Sequence, residues 1–237
     1  MLYRIDPALF QKYPGYVRGV IVARRLINIE GPIDEVARML KGAQKAIRER
    51  ADLETVSAQP NIAAWRAAYR AFGSKPTDYP SSIEAMIKRV RRGDEVPYIN
   101  TLAALCNGTA LRYLVTIGGH AIDAGMDNTQ ELRLGFAQGN EQFPAFGQTT
   151  IEQPNPGEVI FTYGQTVLCR RWTWRQAEFS KLIRTSTAAE INIDGLPPVT
   201  PADVAAISAD LANLVAIYCG ATVEVKMLSE AVPAIEV

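Results

Sequence analysis

The chain has a single histidine, and the residues around it are of types that do chemistry. From Ile99 to Asp123 it reads I-N-T-L-A-A-L-C-N-G-T-A-L-R-Y-L-V-T-I-G-G-H-A-I-D. An amide (Asn107), a hydroxyl (Thr109), an imidazole (His120) and a carboxylate (Asp123) follow one another closely. The pair Gly118-Gly119 stands directly before the histidine and reads as a turn where the backbone can come close to a ligand. An amide can hold a carbonyl, and an imidazole can orient water or take its proton. The same residues also serve structure: an Asn inside an apolar helix is commonly a satisfied buried group, and a lone His a core residue.

A second stretch, Cys169 to Arg175, reads C-R-R-W-T-W-R. Its arginines and tryptophans could clamp a phosphate or stack on a base. As a continuous strand it would put Arg170, Trp172 and Trp174 on one face and Arg171 and Thr173 on the other. The structural alternative buries the tryptophans and lays the arginine stems along them.

Much other chemistry is excluded. There is no G-x-x-x-x-G-K-[ST] loop and no G-x-S-x-G elbow, and any triad would have to use His120. Cys106, Cys169 and Cys219 are far apart with no C-x-x-C spacing. They point away from a disulfide framework or zinc site and toward a reducing, cytoplasmic compartment. Cys106 lies on an apolar helix face and reads as inert packing. No metal or cofactor is expected. The N-terminus lacks a basic-then-apolar signal pattern, and no apolar run reads as long enough to span a membrane. Basic and acidic residues balance at 25 each, but residues 1–100 hold 17 basic and 11 acidic and the remainder 8 and 14. The asymmetry allows a basic face toward a polyanion; helix surfaces produce it too.

The elements that must position these groups follow from pattern. Residues 16–27 are rich in β-branched side chains and read as a strand. Helices are expected from Gly31-Pro32 to Leu53, from Asn61 to Phe72, and after a capping box of Ser81 with Glu84. That last helix ends in the basic turn Lys88, Arg89, Arg91, Arg92, which suits the helix dipole. Thr101 reads as the N-cap of the next helix. Strands are expected at 131–137, 158–163, 166–170, 189–193 and 221–228. A final helix is capped by Thr200, takes Pro201 at its first position and ends at Gly220. Early helices and late strands without regular alternation argue for one α+β domain over residues 1–237, with helices against a mixed sheet.

Several of these motifs together resemble a known family. W-R-x-A-Y-R-x-F-G (Trp65 to Gly73) with K-P-T-D-Y-P-S-S-I-E (Lys75 to Glu84) is similar to freestanding relatives of the phenylalanyl-tRNA synthetase beta-subunit editing module, its third-and-fourth domain. The likeness continues through P-Y-I-N (Pro97 to Asn100), N-G-T-A-L-R-Y (Asn107 to Tyr113) and I-G-G-H-A-I-D (Ile117 to Asp123). It extends to G-N-E-Q-F (Gly139 to Phe143), P-G-E-V (Pro156 to Val159) and C-R-R-W-T-W-R, so it covers most of residues 60–195.

The resemblance implies a three-layer α+β fold and a pocket for the aminoacyl end of a tRNA. It implies His120 and Asn107 as catalytic residues, together with a glutamate near the end of a later strand. Asp194, the nearest acid after A-A-E-I-N-I, takes that place. Thr109, Gly118, Gly119, Asp123, Arg170 and Arg171 are the candidate substrate-binding residues. Two functions stand open. One is a hydrolase that deacylates mischarged aminoacyl-tRNA, an already activated ester that needs only positioned water and a fitted pocket. The other is a binding module that holds a tRNA, a nucleotide or an aromatic amino acid without chemistry.

Overall fold

A computed structural model describes residues 1–123 and 125–237. In chain order the elements are β1 (Leu2–Ile5), α1 (Pro7–Lys12), β2 (Val17–Arg24), α2 (Asp34–Glu49), α3 (Pro60–Ala71), α4 (Ser82–Arg91), α5 (Thr101–Tyr113) and β3 (Thr116–Ala121). They continue with β4 (Leu132–Phe136), β5 (Phe143–Pro144), β6 (Ile151–Glu152), β7 (Val159–Tyr163), β8 (Thr166–Arg170) and β9 (Arg175–Gln176). The last are β10 (Ala188–Gly195), α6 (Pro201–Cys219), β11 (Thr222–Leu228) and β12 (Ala234–Glu236).

The class is α+β, in three layers. A four-stranded antiparallel sheet in the order β11-β2-β10-β3 lies in the middle. On one side the apolar stripes of α2, α4, α5 and α6 cover it, through Val36, Ile87, Leu105 and Leu211 among others. On the other side lies a six-stranded mixed sheet, β12-β1-β4-β7-β8-β9, in which β1 and β4 run parallel. Strand alternation makes the layering possible. In β10, Ala189, Ile191 and Ile193 face the helices, and Glu190, Asn192 and Asp194 face the second sheet. Burial of the apolar face at about 25 cal/mol per Å² drives the assembly.

Cap chemistry sets several boundaries. At α6, Thr200 accepts from Asp203 N–H, and the Asp203 side chain accepts in return from Thr200. The box expected at Ser81 does not form, because Glu84 turns away to Arg66 and Lys88. Asn100, not Thr101, caps α5, its side chain accepting from Ala103 N–H. By length and composition α6, at 19 residues, could cross a membrane, contrary to the expectation from the sequence. Here Val204, Ile207, Leu211 and Val215 bury one of its faces in the core.

The largest departure from expectation is at Gly118-Gly119, which form no turn. Both lie within strand β3, paired in register with Asn192 and Ile191. Their smallness answers close neighbours: a Cβ on Gly118 would stand 2.8 Å from Asn192 Oδ1, and one on Gly119 2.9 Å from Leu182 Cδ1.

Candidate functional site

The alternation that buries one face of β10 sends its acids and amide between the two sheets. Across β3, Glu190 pairs in register with His120, Asn192 with Gly118 and Asp194 with Thr116; across β2, Asp194 pairs with Arg18. The result is a strip of buried polar side chains in an otherwise apolar layer.

One end of the strip is fully committed. Arg18 donates from Nε to Asp194 Oδ1 at 2.6 Å and from Nη2 to Oδ2 at 3.0 Å, a bidentate pair with both side chains buried. The Tyr16 hydroxyl and Asn192 Nδ2 also donate to Asp194. Asp194, expected from the sequence as the acid of the pocket, thus has both oxygens held by Arg18, Tyr16 and Asn192 in this structure.

The other end is not committed. Glu190 is wholly buried; the Tyr3 hydroxyl, which accepts from Arg18 Nη1, lies beside its carboxyl, but neither carboxyl oxygen meets a partner of acceptable hydrogen-bond geometry among the described residues. Asn192 Oδ1 and Thr116 Oγ1 are unmet as well. Burial raises the Glu190 pKa to about 8, against the lowering effect of the Arg18 charge and the Tyr3 hydroxyl and with some help from the Asp194 charge. Opposite it, burial and then the Arg18 charge lower His120 to about 3. The imidazole is thus neutral, with Nδ1 2.8 Å from Ser180 Oγ and its ring edge-on to Phe161. Glu190 was not among the residues singled out from sequence. The signal was present in A-A-E-I-N-I-D-G: strand alternation puts Glu190 on the same face as Asn192 and Asp194.

The expected site residues separate into groups. His120, Asp194 and Gly118 share the inter-sheet face. Gly119 offers its carbonyl to Gln176 Nε2 at the free edge of β3. Asp123 accepts from Thr187 Oγ1 and from the backbone N–H of Thr187 and Ala188, fastening the chain that leads into β10. Asn107 and Thr109 belong to α5, which packs on the Ile117 side of β3, and no hydrogen bond joins Asn107 to His120. The structure does not bring that amide and that imidazole together in one open pocket.

In C-R-R-W-T-W-R the strand ends at Arg170, and the turn that follows holds Arg171 and Trp172 at φ of 52° and 64°. The alternation expected from a continuous strand therefore fails. Arg170 donates to Glu158 through Nε and Nη2 and to Glu152 through Nη1. Its guanidinium is engaged within the protein, not offered to a ribose or phosphate. Arg171 lies 3.5 Å from the centre of the Tyr79 ring and 4.6 Å from that of Trp174. Trp172 is buried edge-to-face against Tyr13, Tyr16 and Trp65. All three cysteine thiols are pushed up by burial, Cys106 to about 12, so the reading of Cys106 as packing agrees with its surroundings.

Among protein families, the B3/4 domain matches residues 64–220, well over half of the chain. The chain belongs to the B3/4 domain family. The likeness to the beta-subunit module read from the motifs is thus shown at the level of the family. None of the curated proteins matches this B3/4 domain. Among solved structures, it is similar to an N-terminal fragment of the phenylalanyl-tRNA synthetase beta subunit from Pyrococcus horikoshii. That similarity has a TM-score of 0.46 at 10% identity, over 93% of this chain and 49% of the fragment, so the B3/4 domain here spans about half the length of that chain.

Proposed function

We propose that this chain is a tRNA-associated binding module whose inter-sheet strip receives the aminoacyl end of a tRNA. Glu190 carries the reading. A buried carboxyl with both oxygens unmet costs stability unless something meets it, and such groups concentrate at ligand sites. Asn192 Oδ1 is an acceptor, and Glu190, protonated below pH 8, presents one O–H and one acceptor oxygen, so the strip calls for a ligand that both donates and accepts, as the ammonium and ester carbonyl of an aminoacyl group do. The motif resemblance to an editing module supports the same class of ligand. The strip is closed, with His120 at 3% exposure and its Nδ1 held to Ser180 Oγ, so ligand entry requires that contact to open.

Deacylation is the second reading, and the neutral His120 favours it. Ser180 holds Nδ1, which leaves Nε2 to orient a water toward an activated ester. A pKa of about 3 makes the ring a weak base, so binding is the better-supported function. Incubation with a panel of mischarged aminoacyl-tRNAs separates the two. Saturable binding with no turnover is the expected result. Accelerated ester hydrolysis would establish the second reading, and no binding to any member of the panel would refute both.

A further inference from the structure

On the helical side, far from the inter-sheet strip in the layering, a cavity of about 320 Å³ opens between α2 and α5. Val36, Ile47, Leu105, Leu111 and Leu214 give it apolar walls. Small residues facing each other usually let two helices close, as Gly108 does against the backbone of Leu40; Ala43, Ala46 and Ala104 instead border a void. Its lining contains one hydroxyl, Thr109, two guanidinium groups, Arg50 and Arg112, and no carboxylate.

Thr109 is 4% exposed and lines the cavity. Residues three apart on a helix are neighbours on one face, so Arg112 stands beside it. Asp52 grips Arg50 through two hydrogen bonds, at 3.0 and 2.6 Å. Arg112 has one longer contact, 3.4 Å to Asp210, and most of its donors remain free.

We propose that this cavity binds a small amphipathic carboxylate, its head on Thr109 and Arg112 and its aliphatic body between α2 and α5. At roughly 30 Å³ per water-sized group, the cavity has room for about ten such groups, the size of an eight-carbon fatty acid. The cation and hydroxyl at one wall match the head, and the apolar walls match the chain. The inference does not rest on the tRNA reading.

The test is calorimetric titration of the full chain with sodium octanoate and, separately, 1-octanol. Octanoate should saturate one site with Kd below about 1 mM, and the alcohol should bind at least about 10-fold more weakly. A Cβ on Gly42 meets nothing within 4 Å, so Gly42→Leu adds a side chain at the lining without a clash. It should weaken octanoate binding about 10-fold or more without lowering Tm. Ala46→Phe, on the same wall, is the second block should the first variant fail to fold. Arg112→Gln should weaken octanoate and leave octanol unchanged. The proposal is overturned by no saturable heat at 10-fold above that limit, by octanol binding as tightly as octanoate, or by octanoate binding unchanged in a folded blocked variant. A concentration-dependent dimer that buries the groove would overturn it too.

Discussion

Two acids two residues apart on one strand face do opposite things here, and substitution separates them. Asp194 is the partner of a buried Arg18, so Asp194→Asn leaves an uncompensated guanidinium between the sheets. Breaking a buried pair from one side typically costs about 3–5 kcal/mol, so urea unfolding should show a stability loss of that order or no folded protein. Glu190→Gln keeps the side-chain shape and leaves an amide oxygen beside the Tyr3 hydroxyl, so it should fold. Its signature is pH dependence. The folded-state pKa of Glu190 is raised to about 8, above the ordinary carboxylate value, so the native state holds a proton that the unfolded state releases. That contribution is fully present below the unfolded value and is lost as pH rises toward 8. His120 runs the other way: its folded pKa is lowered to about 3, so it favours folding increasingly from pH 3 up to about 6.5 and adds no slope above that. Between pH 6.5 and 8 the wild type should therefore lose about 2 kcal/mol that Glu190→Gln keeps, at roughly 1.4 kcal/mol per unit. Parallel unfolding curves for the two proteins across that window would show that Glu190 is ionised in the fold.

At the scale of elements, glycine positions make the sharpest contrast. Gly118→Ala in β3 forces a Cβ to 2.8 Å from Asn192 Oδ1, in the unmet strip itself, and should cost about 1–3 kcal/mol by overpacking. Gly42→Ala in α2 meets open space and should gain up to about 1 kcal/mol. Thermal unfolding measures both, and equal shifts in the two variants would refute the placement of β3. These positions also show what the sequence could carry. The long helices and the strands β2, β7, β8, β10 and β11 were legible because periodicity and caps are local signals. Gly118-Gly119 was misread because a glycine pair looks alike in a turn and in a strand crowded by a cross-strand amide; only the partner strand tells them apart. The left-handed turn at Arg171 and Trp172 was hidden for the same reason. Neither residue favours positive φ on its own, and packing of Trp172 against Tyr13, Tyr16 and Trp65 holds the turn. His120 and the following Ala-Ile-Asp were legible as a motif. The open carboxyl of Glu190 was not, because telling it from Asp194 requires knowing which of them Arg18 occupies.

At the scale of the whole molecule, the three layers divide the work. The helices and the antiparallel sheet bury the main apolar core, and the mixed sheet closes over the other face, where the polar strip lies. A tRNA would bring two kinds of contact to this body: phosphates, which bind any charged surface and weaken with salt, and an aminoacyl group, which only a fitted strip can distinguish. The exposed turn Arg89, Arg91 and Arg92 at the end of α4 is the natural place for the first. The central claim concerns the second, so it is tested by filter binding of one tRNA in its aminoacylated and uncharged forms at a fixed salt concentration. The wild type should bind the aminoacylated form about 10-fold more tightly, a difference of about 1.4 kcal/mol, and Glu190→Gln should bind both forms alike with the affinity for uncharged tRNA unchanged. Equal affinity of the wild type for the two forms, or a preference that survives in Glu190→Gln, would contradict it.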